Sequence, residues 1–297
     1  IEIEALKGIT LNVAQGEILG FLGPNGAGKS TTLKILTGVL FPTSGEADVM
    51  GYTPWRQRKS YVSHIGAVFG QKSQLIWDIP PLDSFEMNKA IYGVSDKDFK
   101  SRLDSMTEML GLQNIIRKPT RQLSLGERMK CEFIMAMLHD PKIVFLDEPT
   151  IGLDVVAKEK IRDFIREQNK KGVTFILTTH DMGDIEKLAK RVVVINFGEI
   201  VFDNDVDALR KFSGAKKRVH LTAKKELPGF DSTPGVQLIS RTSPTVAELE
   251  LDMASIELNR FIQDINEKYI ISDMTMSDPP IESVIRDLYT QKSTQAV

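Results

Sequence analysis

The chain has 297 residues, 41% hydrophobic and 26% charged, which suits one large domain or a main domain with an appendage. Its formal net charge of −2 gives no overall attraction to nucleic acid or to an anionic membrane. A single cysteine, Cys131, excludes an internal disulfide, and no apolar run approaches the ~18 to 20 residues needed to span a bilayer.

The chain begins Ile-Glu-Ile-Glu rather than with Met; no signal peptide is expected, and further residues are expected before Ile1. "EILGFLG" is a short apolar run ending in Gly, and "KSTTLKILTG" follows with helical spacing, so strand, loop and helix are expected there. Between Leu75 and Asp140 the pattern predicts three helices, "PLDSFEMNKAIYG", "DKDFKSRLDSMTEMLGL" and "LGERMKCEFIMAML", with no strand among them. The third opens at "RQLSLGERMK", where Ser124 and Glu127 have the spacing of a capping box. Cys131 sits on that helix among apolar residues and reads as core.

"KIVFLDEP" and "VTFILTTH" are apolar or β-branched throughout rather than alternating, as strands covered on both faces are. "VAKEKIRDFIREQNKKG" between them is an amphipathic helix with a Gly stop, "HDMGDIEKLAKR" is a further helix, and "VVVINFGEIVFD" reads as a hairpin turning near Asn196–Gly198. After Ser213–Gly214 the texture shifts to short strands in "KRVHLTA", "VQLIS", "VAELELD" and "IISDMTM", with helices in "SIELNRFIQDINEKY" and "PIESVIRDLYTQ". The short basic runs Arg56–Lys59 and Lys216–Arg218 read as solvated surface, and His64, His139 and His220 as structural.

Three stretches carry chemistry. "GPNGAGKS" fits the phosphate-loop pattern, with Gly23, Gly28, Lys29 and Ser30 in the required places, after a strand and before a helix. Glycines let backbone N–H groups approach a phosphate, the helix N-terminus adds positive potential, Lys29 supplies a full charge, and Ser30 offers a hydroxyl to Mg²⁺. "KIVFLDEP" ends with Asp147 and Glu148. Alone, this pair before Pro149 reads as a surface turn; with the phosphate loop in the same sheet, Asp147 can hold Mg²⁺ and Glu148 can accept a proton from an attacking water. His180 closes "FILTTH" at another strand end, where it could meet a γ-phosphate or the water.

The order "GPNGAGKST", Gln71 in "VFGQKSQL", "LSLGE", "IVFLDEPTIGLD" and His180 resembles the nucleotide-binding subunit of an ATP-binding-cassette (ABC) transporter, from Ile1 to about Phe212. The stretches around Gln71 and Ser124 look closest to bacterial multidrug-type exporters whose ATPase pairs with separate permease chains. The resemblance implies an α/β fold: a P-loop NTPase core with a RecA-like sheet, flanking helices and an antiparallel β subdomain, a helical subdomain at about 75–139, and a small α+β accessory domain over 214–297.

It also implies roles. Gly23, Pro24, Asn25, Gly26, Ala27, Gly28, Lys29, Ser30 and Thr31 form the Walker A loop; Lys29, Glu148 and His180 are catalytic; Ser30, Gln71 and Asp147 hold Mg²⁺; Gln71 also touches ATP. Ser124, Gly126, Glu127 and Asp154 meet the ATP of a second nucleotide-binding subunit, identical or a close relative. The implied cofactors are ATP and Mg²⁺, the partner is a transmembrane permease, and the location is peripheral, on the cytoplasmic face of the cell membrane, with no nucleic acid partner.

Two departures stand out. The usual Leu-Ser-Gly-Gly-Gln reads Leu-Ser-Leu-Gly-Glu here, so Glu127 puts a negative charge where a polyanion docks. The adenine-stacking aromatic of the family has no counterpart before Phe21 and is expected upstream of Ile1. Two alternatives are weighed: an ABC-type ATPase acting on ribosomes or DNA, disfavoured by a single cassette without a basic face, and a non-hydrolysing regulatory module, disfavoured by Glu148.

Overall fold

The computed structural model describes residues 4–70, 73–179, 181–212, 216–227, 230, 234–280 and 283–285. The chain divides into two compact units, residues 1–204 and 205–297.

The first unit runs β1 (Ile18–Leu22), α1 (Lys29–Leu36), α2 (Arg58–Tyr61), β2 (Ile65–Phe69), α3 (Pro81–Tyr92), α4 (Asp96–Leu110), α5 (Leu125–Met137), β3 (Ile143–Asp147), α6 (Val155–Lys170), β4 (Thr174–Thr178), α7 (Met182–Leu188), β5 (Arg191–Asn196) and β6 (Glu199–Asp205). The strands form one sheet in the order β2-β3-β4-β1-β5-β6. β2/β3, β3/β4, β4/β1 and β1/β5 are parallel. β3, β4 and β5 are buried almost throughout, which is why their sequences are continuous apolar runs. β5 and β6 are joined by Phe197 and Gly198, both with positive φ (46° and 78°), as a two-residue hairpin turn requires.

The core under this sheet gathers Leu19, Phe21, Leu33, Tyr61, Phe145, Ile176 and Val193. Tyr61 is fully buried, and its hydroxyl donates to Leu36 O at 2.6 Å. The run Arg56–Lys59 is exposed, as the solvated reading expects, and Arg58 Nη1 also donates to Thr37 O and Gly38 O, both at 2.9 Å, satisfying carbonyls just beyond α1. Three helices, α3 to α5, lie between β2 and β3, with no strand among the described residues there. Their ends are specified locally: Ser95 accepts from Asp98 N at the start of α4, and Gly93 and Gly111 end α3 and α4 in the left-handed region. His139 stacks on Tyr92 with ring centroids 4.0 Å apart and bonds Ile65 O at 2.8 Å, tying α3 to β2.

The second unit contains α8 (Val206–Phe212), β7 (Lys216–Ala223), β8 (Val236–Ser243), β9 (Val246–Asp252), α9 (Leu258–Lys268) and β10 (Ile271–Ser277). Its sheet has the order β10-β7-β9-β8 with antiparallel pairs. One face alternates inward through Val219, Leu221, Ala247, Leu249 and Leu251 and packs on Phe261 and Ile265 of α9. The other carries Arg218, paired with Glu248 at 2.9 Å and only 11% exposed, so the Lys216–Arg218 run is not simply solvated surface. Of the helix expected over "PIESVIRDLYTQ", residues 283–285 are helical and the rest lies outside the described residues. No helix among the described residues is long and apolar enough to cross a membrane.

Candidate functional site

Strand register decides which loops meet. Asp147 pairs with both Phe69 and Thr178, and Thr178 pairs with Phe21. The row Phe69–Asp147–Thr178–Phe21 therefore lies across the carboxyl ends of β2, β3, β4 and β1. Each of the four following loops leaves the sheet within a residue or two of this row, where open parallel sheets bind ligands.

The phosphate loop follows β1. Its shape depends on close packing at Gly23, where a Cβ would lie 2.4 Å from Ile195 O and 2.9 Å from Ile195 Cγ2. Gly28 has φ +110°, open to glycine and costly for other residues. Ala27 is buried, while Pro24, Asn25 and Gly26 are exposed at the loop's outer edge. Lys29 opens α1, is 7% exposed, and donates from Nζ to Gly23 O at 2.7 Å and Pro24 O at 3.1 Å. Burial lowers its pKa, while the nearby Glu148 and Asp147 carboxylates oppose that shift. Thr31 lies one residue further along α1, partly exposed.

Asp147 is the meeting point. Ser30 Oγ donates to Asp147 Oδ1 at 3.2 Å, and Thr178 Oγ1 donates to the same oxygen at 2.5 Å. The neighbouring Glu148 has φ +52°, a strained setting for a residue with a Cβ. Its N–H donates to Thr178 O at 3.0 Å and lies 3.2 Å from Thr178 Oγ1. Gly70 N donates to Asp147 O at 2.9 Å, and a Cβ on Gly70 would lie 2.7 Å from Glu148 O. The segment entering position 71 is thus pressed against the acidic turn. Gln71 and His180 themselves lie outside the described residues.

Ser124, Gly126, Glu127 and Asp154 form a second cluster. Ser124 caps α5, accepting from Glu127 N at 3.2 Å while Glu127 Oε2 accepts from Ser124 N at 2.8 Å, a complete capping box. Asp154 caps α6 through Ala157 N at 2.8 Å. A Cβ on Gly126 would lie 3.0 Å from Ala157 Cβ, so the two helix starts touch. Among the described residues no hydrogen bond or ion pair joins Ser124, Gly126, Glu127 or Asp154 to Lys29, Ser30 or Asp147.

Sequence reasoning missed three features around these groups: a single residue in two cases and a buried pair in the third. Thr178 was visible as the first Thr of "LTTH", but its bond to Asp147 needs the strand register. Glu132, on α5, is buried and accepts from Ser73 Oγ and Gln74 N, holding the segment just after position 72 against α5. Burial pushes its carboxyl above the ordinary range, while those donors pull it back. The third is Asp184 with Arg162, behind the acidic turn.

The family profile described as "ABC transporter" matches residues 6–151. The daunorubicin resistance ATP-binding protein DrrA3 of Streptomyces coeruleorubidus is 31% identical over 214 residues, 72% of this chain and 67% of that protein. The chain belongs to the ATP-binding proteins of the ABC transporter family. The cassette is also 28% identical to the ABC transporter ATP-binding protein NatA of Bacillus subtilis over 207 residues, 70% of this chain and 84% of that one. A solved structure, the dimeric post-hydrolysis state of the ATP-binding cassette MJ0796 bound to ADP and Pi, matches with a TM-score of 0.62 and 28% identity, over 69% of this chain and 91% of that chain. The cassette is an ABC-type ATPase, an ATP-hydrolysing subunit of an ABC transporter, with the α/β fold of that family.

Proposed function

We propose that the cassette binds ATP·Mg²⁺ on the loop Gly23–Thr31 and hydrolyses it with Glu148 as general base. The observation that carries this reading is the convergence of Lys29, Ser30, Asp147 and Glu148 at the carboxyl ends of β1 and β3, with Ser30 Oγ 3.2 Å from Asp147 Oδ1. Backbone N–H groups of the loop and Lys29 bind the β- and γ-phosphates. Ser30 and Asp147 offer hard oxygen donors, the kind Mg²⁺ takes in small number alongside phosphates and water. Among the described residues no group of three or more His, Cys, Asp or Glu forms a metal cage, which suits a metal that arrives with its nucleotide. Gln71 and His180 complete the site, at the metal and at the γ-phosphate or the water.

The second cluster, Ser124, Gly126, Glu127 and Asp154, serves the ATP of a facing copy or a close relative, and ATP-driven closure of the pair followed by hydrolysis moves a separate membrane permease. The dimeric state of the similar MJ0796 cassette, bound to ADP and Pi, supports a role in trans. The cassette sits peripherally on the cytoplasmic face of the cell membrane, and the transmembrane permease meets it beside the exposed Ile76 and Trp77 that follow position 71. Transport runs outward, as the resistance function in the name of DrrA3 suggests. Residues 1–213 form the nucleotide-binding domain, with its helical subdomain at about 75–139, and residues 214–297 an accessory domain.

Binding of ATP with and without Mg²⁺ to the full chain and to Lys29→Ala tests the site. Loss of nucleotide affinity by ~100-fold, the worth of about 2.7 kcal/mol, is expected in the variant. Wild-type affinity in Lys29→Ala would remove the phosphate-binding role of the loop.

A further inference from the structure

Behind the Glu148 turn lies a buried polar layer to which the reading above gives no role. Asp184 on α7 is 0% exposed and Arg162 on α6 is 5% exposed. Arg162 Nε and Nη2 both reach Asp184 Oδ1, at 2.7 and 2.6 Å. The other carboxylate oxygen, Oδ2, accepts from the hydroxyls of Thr150 and Thr179, the latter at 3.3 Å. Thr150 stands two residues after Glu148, and Thr179 is the residue that follows β4. Thr179 Oγ1 also accepts from Asp181 N at 2.9 Å, and Asp181 pairs with Lys158 of α6. One carboxylate thereby ties together α6, α7, the turn after β3 and the end of β4.

Stability alone does not call for charge here, because apolar residues of similar volume commonly replace a buried ion pair without loss. What the pair supplies is direction. A guanidinium fork orients the carboxylate, and the carboxylate then aims two hydroxyls. The turn it holds is one that needs holding: Glu148 has φ +52°, a conformation that persists only where surrounding contacts impose it.

We propose that Asp184 and Arg162 are positioning residues for hydrolysis: through the Thr150 hydroxyl they fix the turn on which Glu148 stands, and so the direction in which its carboxylate meets the attacking water. This rests on Glu148 being the base. The pair acts through Thr150 and touches neither nucleotide nor water.

The test measures ATP turnover, ATP affinity and melting temperature on the full chain for Thr150→Val, Thr150→Ser, Asp184→Asn and Glu148→Gln. Thr150→Val is expected to lower kcat by ~10- to 100-fold, the scale of a small misplacement of a catalytic group. ATP affinity should stay within about twofold, so that the loss falls on kcat. Thr150→Ser, which keeps the hydroxyl, should recover most of the rate. If Asp184→Asn does not fold, the Thr150 pair decides alone. Wild-type kcat in Thr150→Val, with Glu148→Gln inactive, overturns the inference and leaves the base assignment standing. A joint fall in kcat, affinity and melting temperature that Thr150→Ser does not reverse marks simple fold support and overturns it too. Wild-type turnover in Glu148→Gln overturns the base assignment and this inference with it.

Discussion

Ser30 Oγ donates to Asp147 Oδ1 at 3.2 Å although 117 residues separate the two in the chain. The bond joins the helix start after β1 to the end of β3 and sets two oxygen donors at one point. If that point holds Mg²⁺, Ser30→Ala should raise the Mg²⁺ concentration for half-maximal turnover by at least ~10-fold, since loss of even an outer partner of a metal ligand has that effect. A Mg²⁺ titration of ATPase rate reads this directly, and an unchanged midpoint would exclude Ser30 as a metal contact.

Gly23→Ala tests the packing of the phosphate loop. The added Cβ meets Ile195 O at 2.4 Å, and that oxygen belongs to the backbone of β5, which cannot swing aside. The variant should lose about 1 to 3 kcal/mol of stability, the usual cost of overpacking, together with nucleotide affinity. Gly26→Ala meets nothing within 4 Å and has φ +80°, so only backbone strain of about 1 kcal/mol is expected there. Equal denaturant midpoints for the two variants would contradict this account.

Cys131 should be inert in the folded protein. It is fully buried on α5, and burial pushes its thiol up to about 12, with Glu132 adding to the shift. At neutral pH the reactive thiolate is scarce as well as inaccessible. A thiol reagent should label no cysteine in the native chain and one after denaturation, the sequence holding only one. Rapid native labelling would mean that α5 opens.

Glu127 links the capping box to the proposed function. The hydrogen bond from Ser124 N holds its carboxyl below the ordinary range, against a smaller opposing effect of burial. A depressed folded pKa means stability that is present above the unfolded value of about 4.3 and is lost as pH falls through the folded value. Glu127→Gln keeps an acceptor for Ser124 N, so stability at pH 7 should change by less than about 1 kcal/mol. The difference between the two chains should shrink at pH 3. One negative charge fewer at the docking point should also strengthen ATP-driven association. Unchanged dimerisation and turnover would show that Glu127 carries no penalty.

Legibility in the sequence followed the kind of contact. β1, β3 and β4 could be read because strands buried on both faces are apolar throughout, and the second sheet because Val219–Leu221–Ala223 and Ala247–Leu249–Leu251 alternate. β2 could not, since Ile65–Phe69 is short and holds Gly66 and Ala67, which signal no particular element. The phosphate loop and the acidic pair were legible as local motifs. Thr178, Asp184 and Arg162 were not, because their partners lie on other strands and helices and only the register brings them together. The same applies to Arg58, an ordinary basic residue until its carbonyl partners just beyond α1 are known.

The most direct test of the central claim is Glu148→Gln in the full chain with ATP and Mg²⁺, followed by turnover and by size on gel filtration. If Glu148 is the base and two cassettes close on ATP, turnover should fall by at least ~100-fold, the low end of what general base catalysis contributes. An ATP-loaded dimer should accumulate in its place. Turnover at the wild-type rate, or an ATP-bound monomer with no dimer, would contradict the account.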